Sequence, residues 1–421
     1  MAKQNGKCNV VIKTAKDNRY PGQRVLDVCH WVVLLAFTFM ALLAQGCASA
    51  PPRNPLPQNL EEQSQVPGIP YARYWGDQAP PFADRMMNAS TEELRQRFSA
   101  LYGQQLTILA ISGGGQNGAF GAGLLNGWTA AGTRPQFSMV TGISTGALIA
   151  PFAYLGPAYD VRIREMYTKY STKDLLEIRS MLNMINNDAA VDTKLLRSMI
   201  VKYFDETVMQ AIAAEYCKGR LLFIGTTNLD AERAVTWNIG AIAMSDLPGA
   251  LDLIHDVMLA SASIPIAFPP VMIEVEANGQ RYDEMHVDGG TVRQSFLFSF
   301  GVDNKALAQR LNVKGQARAY VIRNAKLEPV WETVDPKIFA IAGRSASSMI
   351  RSQGIGDLYR EYQGTRQYGF DFNLAHIPHD FDLKEKEAFD PVYMGKLFDL
   401  GYNMAKDGYP WIKAPPGVKP E

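Results

Sequence analysis

Three short segments of this chain hold residues whose types and spacing could cleave an ester. Gly142-Ile143-Ser144-Thr145-Gly146 sets a serine between two glycines. A serine hydroxyl reaches a carbonyl only if the backbone turns sharply beneath it, and glycines two residues to either side remove the side chains that would collide in such a turn. Ser112-Gly113-Gly114-Gly115-Gln116-Asn117-Gly118 offers consecutive N–H groups with no Cβ in front of them, which suits the developing negative charge of a tetrahedral intermediate. His286-Val287-Asp288-Gly289-Gly290 brings a carboxylate that could take the serine proton, provided burial keeps it basic. Each segment also has a plainer reading, with Ser144 as a helix cap and Asp288 as a turn cap.

Other chemistries fit the same residues less well. The triple-glycine run satisfies G-x-G-x-x-G, yet no Asp or Glu occurs between Gly132 and Thr141, where a dinucleotide ribose would need one. No Gly-Lys-Ser/Thr follows the run, so a phosphate P-loop fails too. His255, His286, His376 and His379 lack ligand spacing, and no metal site or cofactor is predicted. A Ser-Asp-His triad through His376 or His379 stays open on chain order alone.

The elements that must hold these residues alternate. Gln105 to Ile111, Phe137 to Thr141, Arg220 to Thr226, Ala234 to Trp237, Arg281 to Val287 and Ala319 to Arg323 read as strands. Gly118 to Ala131, Ala147 to Leu155, Val161 to Lys218 and Leu251 to Ser261 read as helical. This predicts an α/β fold, a mostly parallel central sheet with helices on both faces, and a site at the carboxyl ends of its strands. Lys337 to Arg351 and Pro391 to Lys406 read as amphipathic helices of a C-terminal extension from about 330, with Tyr368 to Phe372 as an edge strand.

The chain has 42 Lys+Arg against 42 Asp+Glu, a balance that speaks against a nucleic-acid partner. Its front is different in kind. Six basic residues precede the uncharged apolar run Trp31 to Ala44, and Gln45-Gly46-Cys47-Ala48-Ser49 follows. Charge, a short apolar stretch and small residues describe an export signal over 1–46. The cysteine after a small residue resembles a bacterial lipobox, which implies lipidation at Cys47 and an outer-membrane lipoprotein held on the membrane surface by that anchor. The alternative is an uncleaved anchor over Trp31 to Ala50. Prolines at 51, 52, 55, 57, 67, 70 and 80 predict an extended tether over 47–80, followed by one catalytic domain over 81–421. Cys217 is expected in the core.

Taken in order, the glycine loop, G-x-S-x-G and D-G-G resemble the patatin-like phospholipase family. Ala260 to Val271, just before D-G-G, and the pair Thr226 to Asp230 with Val235 and Trp237 also resemble it, so the likeness runs from about Leu106 to Asn324. It implies a Ser144–Asp288 dyad without histidine, and an oxyanion hole from the amides of Gly113, Gly114, Gly115, Asn117 and Gly118. Gly142 and Gly146 frame the nucleophile, and Gly289 and Gly290 shape the aspartate loop. The implied activity is hydrolysis of lipid acyl esters. Asn117 stands where the family often has Arg or Lys. The competing class is a non-catalytic lipid- or envelope-binding lipoprotein on a hydrolase scaffold.

Overall fold

The computed structural model describes residues 53–178, 189, 191–299 and 301–419, all within the unit Pro52–Glu421. The expected signal segment and Cys47 lie outside these residues. Among the described residues, no helix is long and apolar enough to cross a membrane.

Eleven strands are described: β1 Arg73–Trp75, β2 Thr107–Ile111, β3 Met139–Ile143, β4 Glu177–Ile178, β5 Val191–Asp192, β6 Leu221–Asn228, β7 Arg233–Asn238, β8 Val271–Ala277, β9 Gln280–Asp288, β10 Arg318–Arg323 and β11 Asp371–His376. Nine form one sheet in the order β1-β7-β6-β3-β2-β10-β11, with β9 on β6 and β8 on β9. β6, β3, β2, β10 and β11 are parallel neighbours, while β7, β1, β9 and β8 are antiparallel. β4 and β5 make a separate pair.

The parallel strands are buried on both faces, and their side chains divide by period two. Leu109 and Ile111 of β2 join the larger apolar cluster, while Ile108 and Ala110 join the second. Helices α1 (Gly118–Ala130), α2 (Thr145–Leu155), α3 (Asp160–Thr168), α4 (Lys194–Tyr203), α5 (Glu206–Tyr216) and α6 (Ala250–Ser261) cover the first face. The second is covered by the latter part of α7 (Ile338–Tyr368), through Leu358 and Tyr362. The predicted α/β class with helices on both faces is the observed one.

Three expectations change. Residues 53–80 are not an extended tether: β1 pairs with β7, Gln65 bridges Glu276, Asn54 bonds to Asp283 and Arg281, and Val66, Ile69 and Ala72 sit in the core. Their prolines alternate with apolar residues that the body buries, so proline here shapes a strap laid on the sheet. The C-terminal part is not an appended extension either. β11 completes the parallel sheet beside β10, and α8 (Pro391–Lys406) packs on α1. Cys217 is exposed, with its sulfur 3.6 Å from that of Met244.

The α1–α8 contact depends on missing side chains. A Cβ at Gly123 would lie 2.0 Å from the Phe398 carbonyl oxygen, and one at Gly127 2.0 Å from that of Tyr402. Both obstacles are backbone, which cannot rotate aside. Gly127→Ala should therefore destabilise the fold by roughly 1–3 kcal/mol through overpacking, measured by urea unfolding. Gly395→Ala, also on α8 but with open space around it, should be neutral or stabilise by up to about 1 kcal/mol. Equal effects at the two positions would contradict this account of the contact.

Candidate active site

The site forms where β2, β3, β6 and β9 end. β2 and β10 are parallel neighbours whose chains continue to opposite sides, β2 toward β3 and β10 toward β11, and such a switch point opens a crevice beyond the strand ends. β3 runs into Ser144, which takes φ 57 and ψ −125 directly before α2. A serine at positive φ is strained, and the packing around it holds it there. A Cβ at Gly146 would meet the Ile111 carbonyl oxygen at 2.1 Å, and one at Gly142 would meet that of Gly146 at 2.4 Å. The flanking glycines thus allow the new helix to sit against β2 and the turn to close on itself.

Ser261, at the end of α6, accepts the Ser144 N–H at 3.0 Å and donates to the Gly225 carbonyl at 2.7 Å. Tyr167 on α3 donates to the Thr145 carbonyl at 3.1 Å and also bonds the Thr145 hydroxyl. The turn is therefore held from two sides.

β9 pairs with the end of β6, Asp288 opposite Thr226, and so brings the aspartate to the serine's end of the sheet. The Gly290 N–H donates to the Asp288 carboxyl group at 2.7 Å, and the Ser144 hydroxyl lies close enough to the same carboxyl to favour its charged form. Ser144 is 6% exposed and Asp288 5%. Burial disfavours the charged carboxylate more than these two groups favour it, and pushes Asp288 up to about 7.

The glycine loop lies alongside: a Cβ on Gly113 would stand 3.2 Å from that of Ser144. Its amides are not equivalent. Gly113 N–H donates to the Gln294 carbonyl at 3.1 Å, Asn117 N–H to that of Gly114 at 3.0 Å, and Gly118 N–H to Gln116 and Gly115. These three are spent on the loop's own shape, and the five-residue oxyanion expectation contracts to Gly114 and Gly115. Their N–H groups have no acceptor among the described residues. Gly114 has φ 155 and would carry a Cβ 2.4 Å from the Asn324 carbonyl oxygen, so only glycine fits. The Asn117 side chain accepts a bond from Tyr393 on α8 at 2.7 Å.

Two anchors of this loop have no motif of their own in the sequence. Buried Asn324, just past β10, donates to the Ser112 carbonyl and accepts the Gly121 N–H, each near 3 Å. Gln294 bonds three ways. Its carbonyl receives Gly113, its side chain donates to the Gly290 carbonyl at 2.7 Å, and its N–H reaches Asp357 at 2.6 Å. The one signal available was position, a polar residue directly after a strand or a D-G-G turn. That signal is too common to single them out.

A cavity of about 50 Å³ opens on Ser144 and Gly115, walled by apolar side chains that include Leu148, Met199, Ile264, Phe268 and Met394. Among the described residues, no histidine is bonded to either Ser144 or Asp288. His286 bonds Thr226 and Glu284, His255 the Phe204 carbonyl, and His376 the Ile377 carbonyl, while His379 is exposed near Glu328. Among the described residues there is no cluster of three or more potential metal-ligating side chains.

The chain is an α/β protein that brings a serine at a strand–helix turn and a buried aspartate to the same end of its sheet. Residues 109–298 of the chain match the model of the patatin-like phospholipase family. Among solved structures, VipD from Legionella pneumophila is similar at 12% identity and a TM-score of 0.33, over 72% of this chain. The chain spans 66% of that structure's length. No curated protein matches the sequence.

The buried carboxyl has a consequence for stability. An unfolded aspartate titrates near 3.8 and the folded one near 7, so between these values the folded protein holds a proton that the unfolded chain has lost. Stability from this residue is complete below the lower value and declines as pH rises through the higher one. Urea unfolding should show the wild type losing stability relative to Asp288→Asn between about pH 4 and pH 8, by roughly 4 kcal/mol at most. A constant difference across that range would mean that the folded carboxyl is not held protonated.

Proposed function

We propose that this protein is a serine hydrolase of lipid acyl esters that works through Ser144 and Asp288. One observation carries the reading: a serine in a strained turn stands beside a desolvated carboxyl group, two unengaged amides and an apolar cavity. With Asp288 ionised, the Ser144 oxygen attacks the acyl carbonyl carbon while its proton passes to the carboxylate. The carbonyl oxygen takes the negative charge beside the Gly114 and Gly115 amides. Collapse breaks the ester bond as Asp288 returns the proton to the leaving alkoxide, which departs as the alcohol. Water then attacks the acyl-serine, Asp288 again accepting and returning a proton, and the carboxylic acid is released. A carboxylate with a pKa near 7 is a stronger base than an ordinary aspartate and is still half ionised at neutral pH. The apolar walls suit an acyl chain. For the segments before residue 53 we propose export and lipidation at Cys47, which would hold the enzyme at a membrane.

A fluorophosphonate probe should label Ser144, and Ser144→Ala should lose labelling and about 10³-fold or more of its turnover of a soluble ester. Asp288→Asn should lose about 10²–10⁴-fold. The kcat/KM of the wild type should rise with pH through about 7, as the base ionises. His376→Ala and His379→Ala should keep full activity, whereas a loss matching that of Ser144→Ala would restore the triad. Undiminished turnover by Ser144→Ala would remove the hydrolase reading and leave a lipid-binding role.

A further inference from the structure

The part of α7 that covers the sheet carries polar residues among its core contacts. Leu358 and Tyr362 fill the second apolar cluster, yet Gln353 and Asp357, four apart and so on one side of the helix, adjoin them. Asp357 is only 2% exposed. An acidic group at that depth is costly unless its oxygens are engaged, and here both are. One accepts the Gln294 N–H at 2.6 Å, and the other accepts from the Arg360 guanidinium.

One helix thereby grips Gln294 at two points. Asp357 takes its main chain, while Gln353 accepts from its side-chain amide at 2.9 Å and itself donates to the Thr291 carbonyl at 3.3 Å. What Gln294 holds in turn are the two loops that meet at Ser144. Its carbonyl receives the Gly113 N–H of the glycine loop at 3.1 Å, and its side chain donates to the Gly290 carbonyl of the aspartate loop at 2.7 Å. The fit leaves no slack. A Cβ on Gly113 would stand 3.2 Å from both Gln294 Oε1 and the Ser144 Cβ, and one on Gly290 would stand 3.0 Å from both Asp288 Oδ1 and Gln294 Nε2. Gly113 leads directly into the unengaged amides of Gly114 and Gly115, and the Gly290 N–H holds the Asp288 carboxyl group.

We infer that Asp357 and Gln353 are positioning residues of the Ser144 site, which by gripping Gln294 set the spacing between the glycine-loop amides and the Asp288 carboxyl group. The inference rests on the hydrolase reading of that site. Asp357 has one competing role. Burial pulls the pKa of Arg323 down against the opposing charges of Asp357 and Glu361, so Asp357 could serve simply as a counter-ion. The contacts favour the acceptor role, since Gln294 and Arg360 are the groups bonded to its oxygens. The two roles separate on substitution, because asparagine keeps an acceptor oxygen and loses the charge. Misplacing a reacting group by about 1 Å can cost about 10²-fold in rate, so a slackened grip should be visible in kcat.

The test uses the full chain and a soluble short-chain ester, with kcat and KM measured separately. Asp357→Ala should lose about tenfold or more in kcat, with KM within about twofold. Asp357→Asn should recover to within about threefold of the wild type. Gln353→Ala, at a half-buried position that tolerates truncation, should lose kcat in the same sense by about threefold or more. Leu358→Ala controls for loosened packing: it empties a core position one residue away and should lower the urea midpoint, yet keep kcat within about twofold. A further readout needs no turnover. Asp288 faces the Ser144 hydroxyl and the Gly290 amide and, among the described residues, no charged group. Loops that part would let water reach it, so the pH-dependent stability difference from Asp288→Asn should shrink in an Asp357→Ala background. Unchanged kcat in Asp357→Ala, an equal loss in Leu358→Ala, or an Asp357→Asn as slow as Asp357→Ala would overturn the inference, the last by making Asp357 a counter-ion. Should Asp357→Ala not fold, Gln353→Ala decides, and full kcat there would overturn it. Failure of the hydrolase reading looks different: no form turns over the ester, while the stability difference still shrinks.

Discussion

Keeping Asp288 dry is the constraint around which this end of the sheet is built. Among the described residues the carboxyl group has a hydroxyl and an amide against it but no cation, so its pKa is governed by exclusion of water. Exclusion requires three loops to meet with no room between them. A Cβ at Gly289 would lie 2.4 Å from the Gly225 carbonyl oxygen, and the Gly142, Gly146 and Gly114 contacts are as close. The glycines of the three motifs thus share one physical role: they let backbone replace solvent around a carboxyl and a hydroxyl. Ser261, Gln294 and Asn324 then occupy the backbone polar groups that such packing would otherwise strand.

The same strand shows what a cation does in place of dryness. Glu284, four residues before Asp288, is also buried on β9, yet its pKa is held down at about 2 by Arg73, which pairs with both of its oxygens. Arg73 lies on β1, with its guanidinium carbon 5.3 Å from the ring centre of Trp75 and 5.9 Å from that of Trp237. Glu284 in turn holds His286, whose other ring nitrogen meets Thr226, and burial keeps that imidazole below its usual pKa. The strap over residues 53–80 is thus needed beneath the aspartate strand. Without Arg73 a buried carboxylate would stand unpaired, a costly arrangement.

These two carboxyl groups also mark how far the sequence could be read. The parallel strands, their covering helices and the Ser144, Asp288 and glycine positions were legible, because each needs a residue type that few others can replace in its local context. The strap was not, since proline and polar composition describes a free linker and a segment docked by an arginine equally well. Nor could composition divide the glycine loop's amides. Whether an N–H faces a substrate or a neighbouring carbonyl depends on where Gln294 and Asn324 end up, a long-range fact. The sheet role of residues 371–376 was obscured for a similar reason: a short run beside a long helix looks peripheral until its partner β10 is known.

Dryness further explains how two groups could serve where three are common. In a triad, histidine supplies a base that titrates near neutrality, and the aspartate orients it. Here burial pushes the aspartate itself up to about 7, so on the proposed hydrolase reading desolvation would supply the basicity that an imidazole brings. Orientation, the other task, falls to the Gly290 amide and to β9, whose pairing with β6 places the carboxyl in register with the serine turn. The arrangement has an internal limit. Water admitted freely beside Asp288 would return its pKa toward that of an ordinary carboxylate and weaken it as a base, yet the proposed reaction would need water once per cycle to release the acyl group. A small apolar-walled cavity, about 50 Å³ when empty, meets both demands. It keeps bulk solvent away from the resting pair, and it leaves space near Ser144 for one water at the step that uses it.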